Sequence, residues 1–296
     1  MKVVIDCVPC YLRQAVNCMG IAGVDEETQH RILYDLMNDI KAFDRNRTPA
    51  ENSTELLLTI YDKIKNNDPY REIKERSNDL AMSLYPKLKD YLSRSNDPIR
   101  DSLKISASGN IIDLGISKSF DLDRSLHDSL HTGFTRDDSD LFLAALRAAE
   151  KVVILGDNAG EIVFDRLLAE ELSRLGKSVT YVVKGGPILN DATIADAVQA
   201  GMDRTAALVT TGTNYLGFPL ARVSREARKL LGDADLVVAK GHANFESLEH
   251  EAAARGRVFF LLKIKCESVG KVAGASLGDI VFLTRGNVAG APSGRP

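Results

Sequence analysis

The sequence has no tryptophan, only four cysteines in 296 residues, and no excess of either charge, its formal net charge being -3. Four cysteines are too few for a disulfide framework in a chain of this length, so they read as thiols in a reducing compartment. Acids and bases are interleaved rather than blocked, which leaves no electrostatic footprint for nucleic acid and no polybasic segment for a membrane. Long apolar runs are also missing. Segments such as Lys151-Val-Val-Ile-Leu155 fall far short of the roughly 20 residues that span a bilayer. Met1-Lys-Val-Val-Ile-Asp6 is too short for a signal peptide. A cytoplasmic protein with a small-molecule partner is the expectation. No internal repeat, heptad run or low-complexity segment is present. What the chain does have is 44% hydrophobic residues, enough to bury a sizeable core.

Residues 1–145 read as mainly helical. Apolar residues recur at three- and four-residue spacings in Cys10-Tyr-Leu-Arg-Gln-Ala-Val-Asn-Cys18 and Thr54-Glu-Leu-Leu-Leu-Thr-Ile-Tyr61. Asn66-Asn-Asp-Pro69 and Ser95-Asn-Asp-Pro98 are turn signals that separate helices. From 146 to 296 the pattern becomes short β-branched runs, at 152–155, 179–183, 207–209, 236–239, 258–262 and 280–283, alternating with amphipathic segments at 161–175, 192–200, 219–231 and 245–255. That alternation predicts an α/β fold with a Rossmann-like parallel sheet, preceded by the helical region. Residues 288–296 read as a mobile tail. The first turn is Gly156-Asp-Asn-Ala-Gly-Glu161 rather than GxGxxG, and its acid would repel a pyrophosphate unless a cation intervened. Nicotinamide binding is therefore demoted.

Ligands of open α/β sheets bind outside the carboxyl ends of strands. Two neighbouring strand ends offer Asp157 and Asn158, then Asn190 and Asp191. Carboxylate and amide oxygens are hard ligands suited to Mg²⁺ or Mn²⁺, with positions left for water and a phosphate oxygen. The competing explanation is that these residues cap the two following helices. Spacing alone leaves both open. On the phosphate side, Lys240-Gly-His-Ala-Asn-Phe-Glu246 puts a lysine at another strand end, with Asn244 in the same loop, and Thr210-Thr-Gly-Thr-Asn214 offers a hydroxyl- and glycine-rich cradle through Thr211 and Gly212. A solvated lysine and an ordinary turn are the plainer alternatives. A phosphoryl group between a cation and Lys240 would be neutralised on both sides, which is the main task in phosphoryl transfer. The nucleophile is either water oriented by Glu161 or Asp157 itself, and water is favoured because a metal-liganding aspartate is a weakened nucleophile. His242 is assigned no role.

Cys7-Val-Pro-Cys10 heads a predicted helix; a single CxxC pair lacks the further ligands zinc needs, and buried or structural thiols are the simpler account. Ser108-Gly-Asn-Ile-Ile-Asp113 places Asn110 and Asp113 between the two halves, where they line a cleft or form a capped turn.

Taken together, Cys7-Val-Pro-Cys10, Gly109-Asn-Ile-Ile-Asp113, Gly156-Asp-Asn-Ala-Gly-Glu161, Pro187-Ile-Leu-Asn-Asp-Ala-Thr193, Lys240-Gly-His-Ala-Asn-Phe-Glu246 and Leu262-Lys-Ile-Lys-Cys266 resemble the DUF89 family of metal-dependent, damage-control phosphatases, in the subfamily bearing an N-terminal CxxC. The resemblance runs over nearly the whole chain. It implies that Asp157, Asn158 and Asp191 hold a divalent cation (Mn²⁺, Ni²⁺, Co²⁺ or Mg²⁺), that Lys240 contacts phosphate, and that Cys7 and Cys10 matter for activity. It further implies substrates among phosphosugars, nucleotides and damaged phosphometabolites. The sequence departs from the family at His242, where relatives often carry a less bulky or an amide residue. Two other classes compete: a Rossmann-type methyltransferase, for which the first loop supplies only part of the glycine pattern, and a metal-binding or redox module acting through the CxxC pair.

Overall fold

All six β-branched runs form strands, because each is short, apolar and bounded by turn residues. The computed structural model describes residues 1–109 and 133–288. Asn110, Asp113 and the expected tail beyond Val288 lie outside them. Five helices come first: α1 (Cys7–Ile21), α2 (Glu26–Lys41), α3 (Pro49–Ile64), α4 (Arg71–Ser93) and α5 (Pro98–Ala107). Their starts follow local chemistry. Thr48 and Glu51 form a reciprocal capping box at α3 with Pro49 in its first turn, and Asp97 caps α5 just before Pro98.

The strands are β1 (Arg136–Asp137), β2 (Lys151–Leu155), β3 (Ser178–Val183), β4 (Ala207–Thr210), β5 (Leu236–Lys240), β6 (Val258–Lys263) and β7 (Ile280–Thr284). They form one sheet in the order β1-β7-β6-β5-β2-β3-β4. Strands β2 to β6 run parallel, but β7 pairs antiparallel with β6, with Leu261 opposite Phe282. The all-parallel expectation is corrected there. The connection from β6 to β7 carries α11 (Glu267–Ala273) and brings the chain back so that β7 runs against β6. The two-residue β1 lies parallel to β7 and so belongs to the sheet, although it precedes residue 146. The helix α6 (Ser139–Ala148) crosses the expected boundary between the regions.

Helices α7 (Glu161–Arg174), α8 (Ile194–Gln199), α9 (Arg225–Asp233) and α10 (Gly241–Leu248) connect the parallel strands. Two start later than the periodicity suggests. Thr193 caps α8 with Asp196, and Ser224 caps α9 by accepting the Ala227 N–H. The fourth starts earlier than expected, at Gly241, because β5 turns directly into it. Apolar layers cover both faces of the sheet: Ile154, Phe164, Leu168 and Phe259 on one, Val153, Val237, Phe245 and Phe260 on the other. A third cluster, including Tyr11, Leu57 and Ile60, joins the helical region to Ile188 and Leu216 in loops after β3 and β4. Between β2 and β5 the connections depart to opposite sides, leaving a crevice at the carboxyl ends of the strands. Among the described residues no helix is long and apolar enough to cross a membrane.

Candidate active site

The loops after β2 and β3 are stitched together. Ala159 N–H donates to Asn190 O and Ala192 N–H to Asp157 O, each at 2.8 Å, and Asn158 pairs with Asp191 as an isolated bridge. These backbone bonds bring Asp157, Asn158 and Asp191 to one place at the strand ends. The two following helices take their caps from other groups. The N-cap of α7 is Gly160, with no side-chain cap, and α8 is capped by Thr193 and Asp196. Neither Asp157, Asn158 nor Asp191 is spent on a helix terminus.

The electrostatics of the trio are unfavourable as they stand. Burial, then the charges of Asp191 and Glu161, hold the Asp157 carboxyl well above the usual carboxylate range. Asp191 is pushed up to about 6 by burial, against the pull of Lys184. Its Oδ2 is buried without a hydrogen bond, 3.5 Å from the Lys184 ammonium, which donates to Gly217 O at 2.6 Å. Among the described residues no three His, Cys, Asp or Glu side chains form a metal cluster; here an amide accompanies two acids. A buried carboxylate oxygen with a 3.5 Å ion pair but no hydrogen bond, beside a second raised carboxyl and an amide, is a donor set that fits a hard divalent cation.

Lys240 is not a solvated strand-end lysine. It is 2% exposed, and its ammonium donates to Asp165 Oδ1 (2.7 Å), Ser106 O (2.9 Å) and Glu161 Oε2 (3.3 Å). Burial alone would lower its pKa, yet Asp165 and Glu161 hold it up at about 12. A further cation beside Asp157, in addition to Lys184, is Lys265, just past β6. It is exposed, it borders both the cavity and the narrow gap beside Asp157, and its charge is the foremost one favouring ionisation of Asp157.

The remaining expected residues divide. Cys7 and Cys10 line a cavity of about 400 Å³ together with Asp157, Asn158 and Asp191, so α1 forms one wall of the same site. Cys7 is buried and Cys10 exposed, and both are free thiols. Thr211 and Gly212 are not among the lining residues. The Thr211 hydroxyl is used within the loops, donating to Thr213 O and accepting the Gly185 N–H. Asn244 is 2% exposed and donates to the carbonyls of Leu155, Gly156 and Lys240, tying the ends of β2 and β5 together. His242 Nε2 lies 2.8 Å from Lys265 N and 2.9 Å from Lys263 O, held by the loop after β6.

Lys184, Lys265 and Asp165 escaped the reading of the sequence. The strand-end rule applied to β3 and β6 finds both lysines. Asp165 left a fainter signal, a second acid one turn after Glu161 and directly following the apolar Ile162-Val-Phe164.

A family model described as the damage-control phosphatase ARMT1-like domain matches residues 3–281. An uncharacterised protein of Methanocaldococcus jannaschii is 35% identical over 96% of both chains. A protein of Pyrococcus horikoshii named a damage-control phosphatase is 31% identical, over 96% of this chain and 98% of its own. The crystal structure of a DUF89 family protein from Pyrococcus horikoshii superposes with a TM-score of 0.87 at 30% identity, covering 96% of this chain and 99% of that one. With its sheet, its strand-end acids and a match over nearly its whole length, this chain belongs to the DUF89, or damage-control phosphatase ARMT1-like, family.

Proposed function

We propose that the protein is a divalent-metal-dependent phosphatase that hydrolyses a small phosphorylated metabolite, a phosphosugar, a nucleotide or a damaged phosphometabolite, in a damage-control role. One observation carries the reading: two stitched loops hold Asp157, Asn158 and Asp191 together, uncapped, with a buried Asp191 oxygen that lacks a hydrogen bond. Asp157 and Asp191 would hold the cation with the amide oxygen of Asn158; Mn²⁺, Mg²⁺, Ni²⁺ and Co²⁺ suit such ligands. When bound, the cation supplies Lewis-acid neutralisation of the phosphoryl oxygens.

The chain's own groups do the rest. Lys265 offers an ammonium from the open side of the cavity, where a phosphate would arrive. Lys240, already holding three acceptors, acts from beneath by keeping Glu161 in place beside Asn158. Glu161 and Asp157, which together line the narrow gap beside Lys240, would orient an attacking water, and Tyr11, Leu189 and Leu216 on the cavity wall limit bulk water. The CxxC thiols brace the wall; burial raises the Cys7 pKa, which does not favour a nucleophilic thiolate. The names of the relatives support the reaction class, and a Rossmann-type methyltransferase finds no support in an acidic first turn.

The test is phosphate release from p-nitrophenyl phosphate by chelator-treated protein, with and without Mn²⁺. Mn²⁺ is expected to restore activity, and Asp157→Ala and Asp191→Ala to lose roughly a hundredfold or more while remaining folded. Activity unaffected by chelation, or intact in either variant, removes the proposed cation site.

A further inference from the structure

Only one end of the Asn158 amide can ligate a cation, and something must choose it. The nitrogen is committed: Nδ2 donates to Asp157 Oδ2 and to Glu161 Oε1, both at 3.3 Å, which leaves Oδ1 as the end available to a cation. The choice therefore depends on Glu161 being in place. A Cβ on Gly109 would come within 2.2 Å of Glu161 Cγ, so the end of α5 closes one side of that carboxylate. On the other side its Oε2 meets Lys240, whose ammonium is anchored more tightly by Asp165 than by Glu161 itself, at 2.7 against 3.3 Å.

Asp165 is 0% exposed and lies outside the cavity lining. It is nevertheless held from three elements. Tyr181 on β3 donates to its Oδ2 at 2.7 Å, the Ser106 hydroxyl on α5 donates to its Oδ1, and Lys240 arrives from β5. Burying an ion pair this completely is costly before pairing, and apolar residues of similar volume often stabilise a fold as well or better. Stability is thus a poor reason for a lysine and an aspartate beneath the sheet ends. Orientation is a better one.

We propose that Asp165 is a positioning residue for the cation site: fixed by Tyr181 and Ser106, it sets Lys240, which sets Glu161, which turns the Asn158 amide so that its oxygen faces the metal. The proposal rests on the cation reading above and adds residues that never touch the substrate or the metal. Groups that orient metal ligands characteristically change affinity without touching the ion.

Calorimetric titration of Mn²⁺ into the wild-type protein, Asp165→Asn and Tyr181→Phe provides the test, with thermal melts of each. Asp165→Asn is expected to weaken Mn²⁺ binding roughly ten- to a hundredfold, and Tyr181→Phe, which removes one support of Asp165, by a smaller factor. A purely structural role would lower the melting temperature and leave the dissociation constant alone. Binding within about twofold of wild type in folded Asp165→Asn overturns the proposal; if that variant does not fold, the same threshold in Tyr181→Phe overturns it. A wild-type protein that takes up none of Mn²⁺, Mg²⁺, Co²⁺ or Ni²⁺ defeats the cation reading, and this inference with it. That outcome is distinguishable because it shows in the wild type alone.

Discussion

His242 and Glu246, one turn apart on α10, are moved off their ordinary ionisation in opposite senses. Burial, helped by the charge of Lys265, pushes His242 down to about 4, and burial pushes Glu246 up to about 7 although it accepts the Ala50 N–H. The linkage signs follow. A depressed histidine means that the unfolded chain takes the proton more readily, so its contribution is present above about 6.5 and is lost as pH falls toward 4. A raised carboxyl means that the folded chain keeps its proton, so its contribution is present below about 4.5 and is lost as pH rises through about 7. In the shared window the two oppose each other and flatten the net dependence. Stability at about pH 7 minus stability at about pH 4.5 should then fall in His242→Gln and rise in Glu246→Gln, by roughly 2 kcal/mol each. Urea unfolding at both pH values checks this, and a change of the same sign in both variants contradicts it.

At the scale of elements, the junction of β5 and α10 decides how close two strand ends can come. Gly241 has φ +78°, and a Cβ there would sit 2.0 Å from Asp157 Oδ2. Gly241→Ala therefore meets backbone strain of about 1 kcal/mol and displaces Asp157. It should cut Mn²⁺-dependent activity at least about tenfold while shifting the melting temperature only a few degrees. More than half of wild-type activity in this variant would show that Asp157 has freedom the geometry denies it. The strands themselves were legible in the sequence because β-branched runs bounded by turn residues leave a clear mark. The reversed direction of β7 was not, since a buried strand has the same composition whichever way it runs, and two-residue β1 is too short for any periodicity. Asp157, Asn158 and Asp191 were legible as polar strand-end residues, but that they cap neither α7 nor α8 shows only in the caps the fold supplies, Gly160 and the Thr193–Asp196 pair. Lys240 was located correctly on the chain but could not be read as buried, because its acceptors, Ser106 and Asp165, are distant in sequence and unremarkable by themselves.

For the molecule as a whole, α3 joins the helical region to the sheet. Thr54 Oγ1 accepts the Leu216 N–H at 3.0 Å, Tyr61 Oη accepts the Leu189 N–H at 2.9 Å, and Tyr215 Oη donates to Glu55 at 2.6 Å. The loops after β3 and β4 are thereby fastened to a helix more than a hundred residues earlier in the chain. A cation at the strand ends should consequently stabilise both regions, by roughly 2.7 kcal/mol at a hundred times its dissociation constant. Hydrogen exchange at α3 amides is expected to slow on adding Mn²⁺ together with exchange at the loops; protection of the loops alone would show the two regions to be energetically separate. The crevice between β2 and β5 also has a consequence for biosynthesis. The acids of the loops after β2 and β3 leave the ribosome before β5, which must still insert beside β2, and Lys265 follows about seventy residues after Asp191. A nascent chain thus carries its acidic groups before it can present the whole crevice, which is complete only once β5 and the loop bearing Lys265 have followed.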